Sequence, residues 1–445
     1  MRSAKEAGHG NSCLFRQRKH SVPKREEPRS RAPLALQDTA TVRQWAAKAG
    51  PVAKGEKTVT RSRTLLPKLD TLGAPLGFED FPAAEPPRRA ARYSIGIDSL
   101  SDEAWDAAVS GFADLSLEQS ATYNTARWGK ERGGGHVLIT EGETVIGGAR
   151  VVELKVPGLK KGLAYVKYGP IWRRRDRPPA PEHFDAVITA LVDEYCNRRG
   201  LLLSVLSRPN PDFTALETAR LKTHGFEIRR AQEDRERYFV NLTIDDDAQR
   251  NSVSRNWRQN LKKAEKSGLT FAIPDKEPAF RQFVGLHRSM VERKNAAKGD
   301  AVGLVPYLQS HLPEMARPRI VIAYKDGQPV TGAVIATLGD TAYYIYGATN
   351  AEALPIRAGY GLHWWIVNWL SAQGLKWYDL GGTVGNAGLR QFKKGFAGTA
   401  GRIVEMPPEF DYWHRDGDRL AGDILFAARG FSKGLAGVRG LVRGR

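Results

Sequence analysis

The residues of this sequence that are best suited to chemistry lie in one short stretch, YDLGGTVGNAGLRQFKKGF, which ends at Phe396. Asp379 closes a strand-like segment, two glycines follow, and Phe392 and Phe396 then enclose Lys393 and Lys394. On a helix the two phenylalanines share a face, because they are four residues apart. A lysine held beside that face could stabilise the negative charge that develops on an oxyanion in acyl transfer. The simpler interpretation is that the phenylalanines are core residues and that both lysines are solvated.

The elements that would hold this stretch follow an order that occurs twice in the chain. In the second half, an alternating segment turns at Asp326-Gly327 and leads through a strand and a helix to the strand LKWYDL. In the first half, a similar segment turns at Glu141-Gly142 and leads through a strand and a helix to the strand LLLSVL. Such alternation indicates β-hairpins. The repeated order predicts a duplicated α/β (α+β) unit with a mostly antiparallel sheet, a crossover helix and one further strand.

Changes in composition divide the chain into five segments. Residues 1–92 are rich in Arg, Lys, Pro and Ala and have no sustained period, which is typical of a disordered basic arm. This arm could attract RNA or a membrane, or it could be a spacer. The other predicted segments are a first domain over 93–245, a basic helical junction over 246–270, a second domain over 271–406 and a basic tail over 407–445.

Charge and cysteine content limit the classes of function. The chain has 445 residues, a formal net charge of +19 and two cysteines. The charge favours anionic partners, and it also serves solubility. Two cysteines are too few for a disulfide framework or a zinc site, no apolar run is long enough to span a bilayer, and the start lacks a secretory signal pattern. We therefore expect a cytoplasmic protein without a metal site.

Five motifs carry a resemblance to a known family. In chain order they are EQSATYNTARWGK, YVKYGP, SRNWRQNLKKAEKSG, YYIYGAT and YDLGG…GLRQFKKGF. Over residues 93–406 the chain resembles the Fem-type aminoacyltransferases, which lengthen or bridge peptidoglycan peptides, and it is also similar to broader GNAT proteins of polysaccharide-biosynthesis clusters. The resemblance implies two tandem GNAT-like acyltransferase domains. It also implies aminoacyl-tRNA as the co-substrate, no other cofactor, and a phosphorylated or lipid-linked envelope precursor as the acceptor.

The resemblance implies roles for the residues of the opening stretch. The pair Phe392 and Lys393 matches the family motif that meets the acceptor end of the tRNA, so Lys393 would stabilise charge while Phe392 packs beside it. Asp379 could accept the proton of the attacking amine, or it could anchor backbone N–H groups of the following loop. We favour the anchor, because the family has no agreed general base.

Phosphate ligands are also implied by the resemblance. Arg127, at the end of QSATYNTAR, matches the basic residue that holds acceptor phosphates, and arginine keeps the charge of the lysine that is frequent there. A second ligand corresponds to Lys298 in MVERKNAAKGD, or to Arg293 or Lys294 if the alignment is shifted.

A basic helix face is predicted at the junction between the two domains. Arg255, Arg258 and Lys262 fall at positions i, i+3 and i+7, with Lys263 beside them. Such a face suits the phosphates of RNA or of a membrane, because these contacts require charge and little sequence information. A solvated helix surface has the same spacing.

Two tyrosines of the YYIYGAT motif are candidates for the acceptor cleft. Tyr344 and Tyr346 alternate with Ile345, and regular strand geometry predicts that both point to one side of the sheet. They could shape the cleft or belong to the core.

Two other functions remain open from the sequence. Acetyl-CoA-dependent GNAT enzymes bind pyrophosphate at a glycine-rich turn before a helix, and PIRAGYGLHWW places Gly359 and Gly361 there with Arg357 nearby. Ile356 stands where that pattern wants Gln or Arg, and the first half has no comparable turn. His363, among tryptophans in the same helix, is interpreted as a packing residue. The other alternative is a non-catalytic protein that binds an envelope precursor.

We therefore predict an acyltransferase that passes an aminoacyl group from tRNA to an amine of a peptidoglycan or other envelope precursor. The alternative enzyme is a CoA- or carrier-dependent N-acyltransferase acting on a polysaccharide or envelope precursor. The tail RLAGDILFAARGFSKGLAGVRGLVRGR interleaves basic and apolar residues. This pattern predicts either a weak amphipathic helix on the anionic inner face of the cytoplasmic membrane or a frayed end.

Overall fold

The structure, a computed structural model, describes residues 93–232, 236–294, 300–383 and 385–428. The elements of the first half are, in order, β1 (Ser94–Ile97), α1 (Asp102–Val109), α2 (Ala121–Trp128), α3 (Lys130–Gly133), β2 (Gly135–Glu141), β3 (Thr144–Lys155), β4 (Gly162–Lys167), α4 (Pro181–Leu191), β5 (Leu202–Leu206), α5 (Thr214–Thr223), β6 (Glu227–Arg230) and β7 (Glu236–Asn241). A 3-10 turn, Leu117–Gln119, precedes α2, and a π-helical segment, Val192–Arg198, continues α4.

The second half continues the same numbering. Its elements are α6 (Asp246–Ser252), α7 (Arg255–Glu265), β8 (Leu269–Ala272), α8 (Lys276–Lys294), α9 (Val305–His311), β9 (Arg319–Lys325), β10 (Gln328–Ala336), β11 (Thr341–Thr349), α10 (Ala358–Ser371), β12 (Trp377–Asp379), α11 (Ala387–Ala397), β13 (Arg402–Glu405) and β14 (Glu409–Tyr412). Short 3-10 turns lie at Asp300–Leu304 and Glu314–Ala316, and a helix over 416–428, α12, ends the described part of the chain.

The strands form two seven-stranded sheets with the same arrangement. The first sheet has the order β1-β2-β3-β4-β5-β14-β6, and the second has the order β8-β9-β10-β11-β12-β7-β13. The pairs β4–β5 and β11–β12 are parallel, and each is connected through a helix, α4 or α10. This repetition confirms the predicted α/β class and the two like units.

Each sheet takes its sixth strand from the far part of the sequence. β14 lies between β5 and β6, where Phe410 pairs with Val205, and β7 lies between β12 and β13, where Val240 pairs with Tyr378. The domain boundaries predicted at residues 245 and 406 therefore need correction. β7 precedes residue 245 but pairs in the second sheet, and β14 follows residue 406 but pairs in the first sheet. The predicted tail from residue 407 therefore contains a strand of the first sheet.

Local sequence explains the hairpins and the cores. The turn predicted at Asp326-Gly327 connects β9 to β10, and both residues have the positive φ, 50° and 76°, that a tight hairpin turn requires. Helices α7, α10 and α11 cover one face of the second sheet with an apolar cluster that includes Trp257 and Phe396. Helix α8 covers the other face through Phe283.

Polar contacts fix the start of β11 against the first half. The backbone N–H of Asp340 donates to the carbonyl oxygen of Ala113 (2.7 Å), and its carboxylate pairs with Arg173 (3.1 Å). Arg208 donates to the carbonyl oxygen of Thr341 (3.1 Å). An apolar cluster with residues from both halves lies beside these contacts. The two sheets are therefore held together at the strand that leads into the candidate site.

Two predictions about the ends of the chain have different outcomes. The basic arm predicted over 1–92 lies outside the described residues. The tail contains α12, which packs Leu425 and Phe426 against the first sheet. Within the described part of the chain, no helix has the length and apolar character needed to cross a bilayer.

Candidate active site

The second sheet opens beside β12. Parallel pairing between β11 and β12 runs from Thr341 opposite Trp377 to Tyr343 opposite Asp379. There β12 ends, whereas β11 continues to Thr349. We call the space beside residues 344–349 of β11 the β11–β12 gap.

Lys393 of α11 lies in the β11–β12 gap. Its side chain is buried, with 5% of the residue exposed, and its Nζ donates to the carbonyl oxygen of Gly382. On the other side, Nζ lies 6.0 Å from the ring centre of Tyr344. Lys394 is exposed. The interpretation in which both lysines are solvated is therefore wrong for Lys393, and an ammonium in so dry a place acts strongly on nearby negative charge.

The packing of α11 explains why Lys393 points inward. Phe396 stacks on Trp257 of α7, with ring centres 4.3 Å apart and planes 2° apart. Phe392, one turn earlier, is half-buried and contacts Tyr360 of α10 edge to face at 5.0 Å. With these aromatic side chains fixed against α7 and α10, Lys393 faces β11.

Asp379 anchors the loop that follows β12. It is fully buried and accepts two hydrogen bonds from Arg237, at 3.2 and 2.7 Å, and one from the backbone N–H of Gly381 at 2.8 Å. Burial opposes the charge of Arg237, but Asp379 holds the pKa of that guanidinium well above its usual range. The geometry favours the anchor role over that of a proton acceptor. Sequence reasoning missed Arg237; the only signal is a basic residue inside the apolar strand β7.

His363 of α10 places a neutral ring close to Lys393. Burial, with the charge of Lys393 adding to it, lowers the pKa of His363 to about 3. Its Nδ1 lies 3.1 Å from the hydroxyl oxygen of Tyr378, and its ring centre lies 4.9 Å from that of Tyr344. The packing role predicted for His363 is confirmed.

Tyr344 and Tyr346 lie on opposite faces of the second sheet, so the prediction that they share one side is wrong. Val334 of β10 pairs with Tyr346 and the next residue, Ile335, pairs with Tyr344, which leaves Ile345 as an extra residue in a β-bulge. A bulge breaks the regular alternation of side chains. Tyr344 consequently packs in the cluster beneath α10, and Tyr346 packs beside α8.

Arg127 of the first half lies close enough to one tyrosine of each half to act on it electrostatically. It is exposed at the end of α2. Burial raises the pKa of Tyr123 in the first half to about 12, and it also raises the pKa of Tyr346 in the second half. The positive charge of Arg127 opposes both increases. Lys167, at the end of β4, pairs with Glu118 at 3.2 Å in the same place. Sequence reasoning missed Lys167 and Glu118, although both lie in the motifs quoted for the family resemblance. Glu118 reduces the positive charge available there for a phosphate.

The second predicted phosphate ligand has a mixed outcome. Lys298 lies outside the described residues. Of its two alternatives, Arg293 is exposed at the end of α8 and donates to the carbonyl oxygen of Thr349 at 3.1 Å. Lys294 is exposed beside it. Arg293 is therefore placed at the far end of the strand that carries Tyr346.

The predicted basic face is present on α7 with one exception. Arg255, Lys262 and Lys263 are exposed. Arg258 is half-buried and donates to two backbone carbonyls at the end of α6, at 3.1 and 2.9 Å, so it stabilises the junction. Ser254, the N-cap of α7, donates its backbone N–H to a carbonyl of α11 at 2.9 Å. The basic face is thus connected directly to the helix of Lys393.

Two cavities among the described residues lie away from Lys393. The larger, about 430 Å³, lies between the halves and is lined by groups that include Asp106, Arg175 and Leu338. The smaller, about 290 Å³, lies between α6 and α10. Neither of these two cavities is lined by Lys393 or Arg127.

The start of α10 bears on the CoA-dependent alternative. The helix begins at Ala358 after Arg357, which has a left-handed conformation with φ of 58°. Open space surrounds the position of a Cβ on Gly359, whereas Gly361 packs closely on β8 and α7. In the first half, Pro181 stands at the start of α4 and removes a backbone donor. Of the two helices that connect parallel strands in the described sheets, α4 and α10, α10 is therefore the one whose first turn has free backbone donors and open space.

Comparison with family models identifies the domain that contains Lys393. Residues 251–394 match the model described as an acetyltransferase (GNAT) domain. No curated protein matches the chain. The matched segment contains α7, the β11–β12 gap and most of α11, so the part of the second half that carries Lys393 is similar to an acetyltransferase (GNAT) domain.

The comparison with solved structures finds similar chains at low sequence identity, of which FemX shares the fold. FemX is 17% identical with a TM-score of 0.58, and the match covers 72% of this chain and 98% of FemX. The C-terminal domain of a putative lysylphosphatidylglycerol synthetase from Agrobacterium fabrum is 14% identical, with a TM-score of 0.45 and coverage of 72% and 95%. A tandem GNAT protein from the clavulanic acid biosynthesis pathway is 10% identical, with a TM-score of 0.39 and coverage of 72% and 98%. The likeness to FemX confirms the family resemblance at the level of the fold, and with the domain match it supports a GNAT-type acyltransferase.

Proposed function

We propose that this GNAT-type acyltransferase passes an aminoacyl group from aminoacyl-tRNA to an amine of a peptidoglycan or other cell-envelope precursor. The observation that carries the proposal is the buried ammonium of Lys393 in the β11–β12 gap. A fixed cation in a dry site stabilises the charge of a tetrahedral intermediate by a few kcal/mol, because it does not have to reorganise during the reaction. The resemblance to Fem-type aminoacyltransferases supplies the donor and the acceptor.

The reaction can be written with the residues in place. The neutral amine attacks the ester carbonyl carbon of the aminoacyl-tRNA, a C–N bond forms, and Lys393 pairs with the oxyanion. The ester C–O bond then breaks, and the ribose oxygen leaves with the proton that the amine loses. Asp379 takes no part as a base, because Arg237 and Gly381 already use its carboxylate; it fixes the loop whose carbonyl holds Lys393.

Two surfaces would hold the anionic carriers. Arg255, Lys262 and Lys263 on α7 offer exposed charge to the tRNA backbone, next to the helix of Lys393. Arg127 offers exposed charge to the phosphates of the acceptor, whereas Lys167 is already paired with Glu118.

Transfer of label provides the test. Purified protein is incubated with tRNA charged with a mixture of radiolabelled amino acids and with a lipid-linked or nucleotide-linked muropeptide. We expect label to appear in the acceptor. Binding of both carriers without turnover would instead identify a non-catalytic precursor-binding protein, and mass spectrometry of envelope material from cells lacking the protein would identify the acceptor group.

A second candidate is CoA-dependent N-acyl transfer, which the open start of α10 favours. Acetyl-CoA replaces charged tRNA in the same assay. Gly359→Asp places a carboxylate where pyrophosphate would bind, so it should abolish a CoA-dependent reaction and leave a tRNA-dependent reaction unchanged. Aspartate in the first turn suits the helix dipole, so the fold should tolerate the change.

A further inference from the structure

A buried arginine connects the two halves of the molecule. Arg173, which follows β4 in the first half, is buried, and its Nη1 donates to a carboxylate oxygen of Asp340 at 3.1 Å. Asp340 directly precedes β11, the strand beside which Lys393 lies. The ring of Phe213 covers the guanidinium, with 4.2 Å between the guanidinium carbon and the ring centre. Arg173 therefore forms a contact between the halves that is shielded from water.

Two buried acids of the first half share this guanidinium with Asp340. Asp114 lies 3.8 Å from Nε of Arg173 and accepts the backbone N–H groups of Trp172 and Arg173, at 2.8 and 3.1 Å. Glu217 of α5 accepts the indole N–H of Trp172 at 2.9 Å. Burial opposes the charge of Arg173, but the three carboxylates hold the pKa of its guanidinium above the usual value. We call Arg173, Asp114, Glu217 and Asp340 the Arg173 cluster.

The Arg173 cluster contains three acids and one base, so it favours the presence of a proton. Asp114 and Glu217 are 5% and 6% exposed, and one carboxylate oxygen of Asp114 has no hydrogen-bond partner among the described residues. A charge without a full partner is costly in such a place, because little water solvates it. Burial raises the pKa of Glu217 to about 7 and that of Asp114 to about 6. At mildly acidic pH, Glu217 is therefore neutral.

The other polar groups around the Arg173 cluster keep their charge state as the pH changes. The hydroxyl of Ser207, after β5, lies beside Glu217 and does not ionise. Arg175 and Arg208 donate to backbone carbonyl oxygens of the second half, at 2.6 and 3.1 Å. Arginine remains protonated in folded proteins, so these two contacts hold the halves together at every pH of interest. Titration of the cluster thus changes one of several contacts between the halves.

We propose that the Arg173 cluster is a pH-sensitive switch at the contact between the two halves. While Glu217 is protonated, Asp340 holds the guanidinium of Arg173. When Glu217 loses its proton to solvent, the two acids of the first half compete with Asp340 for the guanidinium, and the contact between the halves weakens. Because burial favours the neutral acid, the proton stabilises the arrangement described here, and its release favours one in which the carboxylate reaches water or Arg173. The inference goes beyond acyl transfer and does not depend on the identity of the donor or acceptor.

Distances between spin labels on the two halves test this inference. Glu143→Cys and Gln328→Cys place one label in each of the exposed β2–β3 and β9–β10 turns of the full-length protein, which also carries Cys13→Ser. Cys196 is buried and should remain unlabelled. We expect one narrow distribution of label distances at about pH 5.5 and a broader or second distribution at about pH 8. The midpoint should lie at about pH 7, and circular dichroism should stay unchanged across this range.

Three variants locate the response. Glu217→Gln can still accept the indole N–H of Trp172 but cannot ionise, so it should keep the narrow distribution at both pH values. Asp340→Asn weakens the pair with Arg173 and should give the broader distribution already at acidic pH. The matched control is Glu182→Gln, which changes an exposed glutamate of α4 and should respond like the unchanged protein.

Each other outcome contradicts the proposal. Equal distributions at both pH values in the unchanged protein overturn it, and so does a transition at about pH 7 that survives in Glu217→Gln. A response that is also lost in Glu182→Gln assigns the effect to general charge and overturns it. Broadening that is accompanied by loss of circular dichroism overturns it too, because the chain then unfolds. If Asp340→Asn fails to fold, the comparison of Glu217→Gln with Glu182→Gln decides the question alone.

Discussion

After its parallel pair of strands, each half of the molecule buries one ionisable side chain on the next helix, an acid in the first half and a lysine in the second. In the first half this residue is Glu217 of α5, which accepts a hydrogen bond from the indole N–H of Trp172 at 2.9 Å. In the second half it is Lys393 of α11. β4 and β5 end together at Lys167 and Leu206, whereas β12 ends early and leaves the β11–β12 gap. The two halves share the order of strands, and the early end of β12 in the second half is occupied by the buried side chain of Lys393.

The residue after the parallel strand completes the contrast. In the first half, the guanidinium of Arg208 donates to the carbonyl oxygens of Leu115 and Thr341, at 2.8 and 3.1 Å. Because Thr341 belongs to the second half, this side chain forms a contact between the two halves. In the second half, Gly381 and Gly382 occupy this position and leave room for Lys393. The first half thus uses the position for the interface, and the second uses it for the candidate active site.

The ion pair beneath the gap should give the largest effect on stability. Asp379→Asn leaves the buried guanidinium of Arg237 without a charged partner, and we expect the free energy of unfolding to fall by about 3–5 kcal/mol in denaturant titrations. Asp176→Asn, which breaks an exposed pair with Arg174, is the control and should change the stability far less, because water screens the pair. Similar losses in both variants would contradict the special position of the Asp379 pair.

The exchanged strand should connect the stabilities of the two halves. Phe410→Ala removes a fully buried ring from β14 in the first sheet, with an expected cost of about 3–4 kcal/mol. Because β7 and β14 are exchanged, both sheets should still unfold in one transition, measured by tryptophan fluorescence and by circular dichroism. Ile403→Ala, at an exposed edge position, should cost much less. A first sheet that unfolds alone while the second remains intact would show that the exchange does not connect them.

The buried acid of the first half should make stability depend on pH. Burial raises the pKa of Glu217 to about 7 from 4.5, so the folded protein binds this proton more tightly than the unfolded chain. Stability should therefore fall as pH rises from about 4.5 to about 7, by up to about 3 kcal/mol. Glu217→Gln should remove this part of the dependence and leave a smaller part from Asp114, whose pKa burial raises to about 6. Tm measured across this range checks it, and an unchanged pH profile in the variant would contradict the assignment.

The smallest expected effect concerns the basic face of α7. A variant with Gln at positions 255, 262 and 263, in place of Arg255, Lys262 and Lys263, should bind tRNA more weakly. A plot of the logarithm of the binding constant against the logarithm of the salt concentration should also become less steep, by up to about 0.7–0.9 for each tRNA phosphate that these side chains neutralise. Lys276→Gln with Arg281→Gln on α8 supplies a control with exposed charges at another place. An equal reduction in the control would mean that net charge, and not the α7 face, determines the binding.

The sequence predicted the frame of the site better than its details. The hairpin turn at Asp326-Gly327 and the repeated order of elements follow from local patterns, which is why they could be predicted. The exchange of β7 and β14 could not, because strand pairing between distant segments leaves no local pattern. The β-bulge at Ile345 likewise reversed the expected direction of Tyr346.

Individual site residues show the same division. The family resemblance predicted a charge-stabilising role for Lys393, whereas spacing alone favoured a solvated lysine; its burial is known only from the structure. Arg237 was missed because its partner, Asp379, lies 142 residues further along the chain. Arg258 was taken for a surface charge, since only the structure reveals that its guanidinium reaches the end of α6.

The central claim is that the buried ammonium of Lys393, and not general basic charge, carries acyl transfer. The most direct measurement compares kcat/KM for Lys393→Met and Lys394→Met, two neighbouring lysines of which only the first lies in the β11–β12 gap. We expect Lys393→Met to lose about 100-fold or more, with Tm nearly unchanged, and Lys394→Met to stay within about threefold of the unchanged enzyme. Equal activities of the two variants would contradict the account.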